Sequence, residues 1–115
     1  MFKELITVLL FVNDIRSSKE WYQNFLLMDP IEDLPNFASF LIGSTYFNLH
    51  LADALSPHST GGTVVYWGVE NLQITTARAI SMGGSVHRGP LYVKETSRTI
   101  VQIKDPFGNV FGIEC

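Results

Sequence analysis

The sequence has almost no cysteine and little charge. Its 115 residues include a single cysteine, Cys115, and charged residues make up 17%. One thiol excludes an internal disulfide framework or thiolate cluster and fits the reducing cytoplasm. A hydrophobic share of 46% with so few charges excludes a disordered tail and a coiled coil. The length predicts one domain with a real core.

Runs of one charge sign and membrane-length apolar runs are also missing. Eight basic and eleven acidic residues give a net charge of −3, with no basic cluster, so a nucleic-acid partner is not expected. The longest apolar run, Leu5–Val12, is about a third as long as a membrane-spanning helix. Asn13 and Asp14 stand where a signal peptide would have small cleavage residues. We therefore expect a cytoplasmic protein without a membrane segment.

What is present is a βαβββ pattern that occurs twice. One helix begins at Asp14 or Ser17 and ends before Pro30, and the other is capped by Asn71 and runs through Met82. Gly89-Pro90 is expected to break the sixth strand. The predicted strands are Leu5–Val12, Ile31–Leu34, Phe37–Ile42, Tyr46–Leu51, Thr63–Val69, Ser85–Arg88, Arg98–Lys104 and Val110–Glu114. The fold class is α+β, a single domain of two modules, about 1–53 and 62–115, joined by a loop.

Two of these strands are unusual because both of their faces are apolar. Leu5–Val12 and Thr63–Val69 read as strands buried on both sides. One helix per module can cover only one face. The other face needs a partner subunit, a bound ligand or the curl of the sheet, so we expect a homodimer, a small-molecule ligand, or both.

Three segments resemble the vicinal oxygen chelate superfamily, which includes glyoxalase I, extradiol dioxygenases and bleomycin-resistance proteins. They are Thr7–Asp14 with Ser18, Trp21 and Tyr22 after it; Gly43–His50; and the final turn and strand, Asp105–Gly112. The resemblance covers nearly the whole chain. It implies that the two modules curl into a cup, and that a single-domain member dimerises.

The family's enzymes hold a divalent metal on the floor of the cup with His, Gln or Glu. The resemblance places these ligand positions at Thr7, Asn48, Val64 and Gly112. None of the four is His, Glu, Gln or Asp, and valine and glycine have no side-chain ligand. Because a divalent ion needs about three or four protein ligands, we expect no metal, no other cofactor and no catalytic residue.

Alternation along the strands then predicts the lining of the cup. Residues of one parity are nearly all apolar and should pack under the helices, with Trp67 among them; Trp21 also reads as core. The other parity lines the cup, and its expected ligand-binding residues are Leu9, Phe11, Tyr46, Asn48, His50, Tyr66, Gln102 and Glu114. By the same count Ser39, Leu41, Ile100 and Val110 also face it. This apolar and aromatic lining with a few polar groups suits a small organic ligand.

Two polar residues of this lining could do more than line it. His50 is the only histidine of the three placed in the cup, and Glu114 is its only acidic side chain. Each has an ordinary structural reading as well, as a hydrogen-bonded core histidine and a solvated carboxylate. Glu114 would be the charge partner of a cationic ligand, which the acidic balance mildly favours.

Three functions remain open at this stage. The leading interpretation is non-catalytic binding or sequestration of a small apolar or aromatic molecule, with cationic molecules included, as in the bleomycin-resistance branch of antibiotic resistance. The alternative is a glyoxalase-like lyase or isomerase, or a dioxygenase, with displaced metal ligands that would include His50 and Glu114. A third is a scaffold module whose cup is filled by its own side chains.

Overall fold

The computed structural model describes all 115 residues, which form two compact units, residues 1–58 and 59–115. The division lies in the loop between the two predicted modules. Each unit contains one helix and a four-stranded mixed sheet, in the order βαβββ. The α+β class and the repeated element order predicted from the sequence are therefore confirmed.

In the first unit the strands pair in the order β1-β4-β3-β2. β1 runs parallel to β4, and the other pairs are antiparallel. Its elements are β1 (Thr7–Val12), α1 (Ile15–Leu26), β2 (Glu32–Leu34), β3 (Phe37–Ile42) and β4 (Thr45–Leu51). Asp14 caps α1 by accepting a hydrogen bond from the Ser17 amide at 3.0 Å.

The core of this unit lies between α1 and one face of its sheet. Trp21 and Tyr22 of the helix are buried, and Tyr22 meets Phe47 of β4 edge-on at 5.0 Å. Every second residue of the strands joins them, which confirms the predicted core parity. The buried strand residues of this face are Val8, Val12, Ala38, Phe40, Phe47 and Leu49.

The second unit repeats this topology with strand order β5-β8-β7-β6, and β5 is parallel to β8. Asn71 caps its helix by accepting from the Ile74 amide at 2.9 Å. The buried strand residues under the helix are Val101, Ile103, Phe111 and Ile113. Its elements are β5 (Tyr66–Gly68), α2 (Leu72–Ser81), β6 (Ser85–Val93), β7 (Arg98–Lys104) and β8 (Val110–Glu114).

The turn between β7 and β8 is organised by one buried carboxylate. Asp105 is 3% exposed and accepts hydrogen bonds from the amides of Phe107 and Asn109, both at 2.9 Å. The Asn109 side-chain amide donates a third bond to it, also at 2.9 Å. These three bonds satisfy a charge that would otherwise be costly to bury. The three bonds hold the turn of residues 105–109 in one conformation, and so fix the point at which β8 begins.

Three strand predictions differ from the structure by more than one residue. β1 begins at Thr7 rather than Leu5, and it is not buried on both faces: Leu9, on the side that α1 does not cover, is 38% exposed. β5 is limited to Tyr66–Gly68. β6 was expected to end at Gly89-Pro90 but continues to Val93, with register shifts on either side of Arg88. It lies at the edge of its sheet, where proline's missing N–H breaks no ladder.

Neither helix is long and apolar enough to cross a membrane.

Candidate functional site

The face of the first sheet that α1 leaves uncovered, here called the open face, is built of three cross-strand rows. Each row takes one residue from β1, one from the central strand β4 and one from β3. The rows are Thr7, Tyr46 and Leu41; then Leu9, Asn48 and Ser39; then Phe11, His50 and Phe37. Leu9, Tyr46 and Leu41 are 38–41% exposed, which is high for large apolar side chains on a sheet. All five site residues predicted in this module therefore share one face.

The middle row carries a short polar contact. The Ser39 hydroxyl, on a residue only 4% exposed, donates a hydrogen bond to Asn48 Oδ1 at 2.5 Å. Asn48 itself is half-buried. The bond fixes the amide plane, with its oxygen turned toward β3 and its nitrogen left without a protein partner.

The third row holds the histidine between two aromatic rings. His50 Nδ1 lies 2.8 Å from the carbonyl oxygen of Leu51. Phe11 and Phe37 approach its ring edge-on, with centroids at 5.7 and 6.3 Å. Phe37 was missing from the predicted lining, although its parity matches Ser39 and Leu41 on the same strand. Packing on both sides holds the half-buried imidazole in one orientation.

The second sheet has a corresponding row formed by Tyr66, Gly112 and Gln102 on β5, β8 and β7. Gln102 Nε2 donates to the Tyr66 hydroxyl at 2.7 Å. The Tyr66 ring lies directly over Gly112, so close that a Cβ at position 112 would overlap the ring. The Tyr66 ring is therefore held in one orientation on this face.

Glu114, in the next row of that face, already has a charge partner. Its carboxylate lies 3.3 Å from the Arg98 guanidinium, and the two side chains are 25% and 55% exposed. Arg98 was not predicted from the sequence. Antiparallel pairing of β7 with β8 brings the start of one strand to the end of the other, and this pairing could have indicated Arg98 as the partner of Glu114. An open groove of about 620 Å³ adjoins the pair. Its lining is Gly68, Val69, Glu70, Arg98, Glu114 and Cys115.

The four metal-ligand positions implied by the resemblance do not offer a ligand set. Asn48 Oδ1 is engaged by Ser39, and Gly112 is covered by the Tyr66 ring. Thr7 is exposed, and Val64 has no donor atom. No group of three or more His, Cys, Asp or Glu side chains is arranged to hold a metal ion. The donor chemistry at these positions does not fit the metal that the family's enzymes carry.

Comparison with solved structures shows the same fold in proteins of low sequence identity. A glyoxalase/bleomycin resistance protein/dioxygenase family enzyme from Burkholderia phytofirmans PsJN has 21% identity and a TM-score of 0.82, over 97% of this chain and 98% of that one. A glyoxalase/bleomycin resistance protein from Albidiferax ferrireducens T118 has 17% identity and a TM-score of 0.76, over 96% and 97%. A glyoxalase-related enzyme from Fulvimarina pelagi has 15% and 0.79, over 98% and 88%.

The sequence itself identifies the family. No curated protein matches it. The family model described as Glyoxalase/Bleomycin resistance protein/Dioxygenase superfamily matches residues 5–113, nearly the full length. The chain belongs to the glyoxalase/bleomycin resistance protein/dioxygenase superfamily.

Proposed function

We propose that this chain binds a small, flat, largely apolar molecule without metal chemistry. The observation that carries the proposal is the open face of the first sheet. There, exposed Leu9, Leu41 and Tyr46 adjoin half-buried Asn48, and half-buried His50 lies in the next row. A surface that combines apolar area with a few fixed polar groups is typical of small-molecule sites.

The second sheet supports the same proposal independently. Tyr66 is held by Gln102 and lies over Gly112, so its ring is pre-oriented for stacking. A fixed ring loses little conformational entropy when a flat ligand stacks on it, which favours affinity. We assign the contact role on this face to Tyr66 and Gln102.

We propose that the ligand is neutral rather than cationic. Glu114 was the acidic group expected to attract a cation, but Arg98 lies 3.3 Å from it and compensates its charge. The histidine and asparagine of the open face carry no negative charge. Apolar contact and hydrogen bonding, not ion pairing, therefore set the preference.

A titration followed by two-dimensional NMR tests this proposal. We expect 2-naphthol to shift saturably the amide signals of Leu9 and Tyr46 on the first sheet and, considered separately, of Tyr66 on the second; 1-naphthylmethylammonium, which adds a positive charge, should bind no better. The Tyr66→Ala variant should weaken naphthol binding on the second sheet. Tyr92→Ala is the matched control, because Tyr92 is 60% exposed on β6 and lies outside the Tyr66 row. Shifts confined to the helices, or no saturation at millimolar naphthol, would refute the proposal.

We also propose that the protein is a twofold homodimer. Support comes from the large apolar side chains that a single chain leaves exposed, which include Leu5 and Ile6 just before the edge strand β1. Monomeric proteins seldom expose contiguous apolar patches of this kind. An isologous contact through a closed twofold axis would cover them without leaving an open edge for further association.

A further inference from the structure

We infer that the open face recognises an aromatic ligand with a hydrogen-bond acceptor at one end and a hydroxyl or N–H donor at the other. The acceptor faces Asn48 and the donor faces His50. The inference rests on the proposed binding function and names the class of molecule that this face takes. Hydrogen bonds within the first unit determine that Asn48 offers a donor to the ligand and His50 an acceptor.

Asn48 presents a donor. Its Oδ1 accepts the Ser39 hydroxyl at 2.5 Å, and Ser39 is 4% exposed, so the side-chain oxygen is committed to the protein. The amide nitrogen has two hydrogens and makes no bond within the protein. A carbonyl or ether oxygen of a ligand is the group that matches it.

His50 presents an acceptor. The Leu51 carbonyl oxygen can only accept, so the 2.8 Å contact requires the hydrogen to be on Nδ1. In the neutral imidazole, Nε2 then carries a lone pair. Phe11 and Phe37 hold the ring from two sides. A hydroxyl or N–H of the ligand is the group that matches Nε2.

The spacing of the two groups selects the shape of the ligand. Asn48 and His50 are two residues apart on β4, so their backbones are about 7 Å apart on the same face. A benzene ring with substituents at opposite positions spans this separation, and Leu9 and Phe11 on the adjacent strand supply apolar contact to the ring. A ligand that lacks either group leaves a polar atom of the protein unmatched, which lowers its affinity.

Three probes of nearly equal size separate the two hydrogen bonds. 4-Hydroxyacetophenone carries both groups, 4-methoxyacetophenone lacks the donor, and 4-ethylphenol lacks the carbonyl acceptor. We expect wild type to bind the first about fivefold more tightly than either of the others, the effect of one ordinary hydrogen bond. His50→Phe keeps a ring between its neighbours and should abolish the preference for hydroxy over methoxy. Asn48→Asp keeps the acceptor for Ser39 and should abolish the preference for 4-hydroxyacetophenone over 4-ethylphenol.

His87→Phe and Asn36→Asp are matched controls, because both residues are exposed and lie off the open face. NMR titration gives the dissociation constants and shows that each variant is folded, and long-range proton–nitrogen spectra report the His50 tautomer directly. Equal affinity for the three probes, rankings unchanged by both variants, or an Nε2–H tautomer would overturn the inference. If 2-naphthol still binds in any of these cases, the proposed binding function stands and only the polarity is wrong. If no probe binds and naphthol also fails, both are overturned.

Discussion

Tyr66 and Gly112 are complementary residues: the ring of one occupies the space that a side chain on the other would need. We therefore expect Gly112→Glu, which adds a carboxylate at an implied metal-ligand position, to lower the free energy of unfolding by about 1–3 kcal/mol through overpacking. Urea denaturation measures the loss. Adding Tyr66→Ala should restore part of it. Gly61→Glu is the control, since a Cβ at Gly61 meets nothing within 4 Å. A Gly112→Glu variant as stable as wild type would show that the ring moves aside freely.

Adjacent residues on β5 should respond oppositely because they point to opposite sides of the sheet. Trp67 lies in the row of Ile113 and Val101, on the helix side, so Trp67→Ala should cost about 3 kcal/mol of stability. Tyr66→Ala should cost less, about 1 kcal/mol for the lost bond to Gln102. It should instead weaken 2-naphthol binding by about 1–3 kcal/mol. Thermal melts and NMR titration of both variants provide the test, and the reverse pattern would mean that our assignment of the two faces is wrong.

At the scale of elements, the sequence was most informative where alternation and capping act locally. Phe37–Ile42, Arg98–Lys104 and Val110–Glu114 were predicted with their observed ends, because turn residues flank each strand. β6 was predicted too short, because proline breaks a central strand but is tolerated at a sheet edge, and sequence alone does not reveal which strand is the edge.

The candidate site could also be predicted only in part: the sequence indicated which residues share a face, but not the hydrogen bonds that they make. Parity placed Asn48 and His50 on one face, as the strand register confirms. The bonds that set their chemistry, to Ser39 and to the Leu51 carbonyl, depend on side-chain rotation that no spacing specifies. The charge compensation of Glu114 by Arg98 likewise depends on which strand ends meet.

Both helices begin with a side chain that caps the first turn by accepting a backbone amide hydrogen bond, and the effect of this cap can be tested on α1. Asp14 accepts the Ser17 amide at 3.0 Å, so Asp14→Ala should lower the free energy of unfolding by about 1 kcal/mol. Asp14→Asn should retain nearly full stability, because asparagine caps as well as aspartate does, and Asn71 does so at α2. Chemical denaturation of the three proteins checks this. Equal losses in both variants would assign the effect to charge rather than to capping.

For the whole molecule, the arrangement of donors predicts how purified protein behaves toward metals. Elemental analysis of protein prepared without chelator should give less than one Zn, Ni, Mn or Fe per chain. The reason is chemical: Val64 and Gly112 supply no ligand, and Asn48 Oδ1 is bonded to Ser39. One tightly bound ion per chain with His50 among its ligands would favour the glyoxalase-like or dioxygenase alternative instead.

The assembly state follows from the apolar surface that one chain leaves uncovered. Light scattering at micromolar concentration should give twice the 12.9 kDa chain mass. Leu5→Asp together with Ile6→Asp should shift the protein toward the monomer, because two charges would have to be desolvated in the contact. Leu55→Asp is the matched control: Leu55 is 95% exposed and lies in the loop after β4, outside the segment that precedes β1. A monomeric wild type would refute the homodimer.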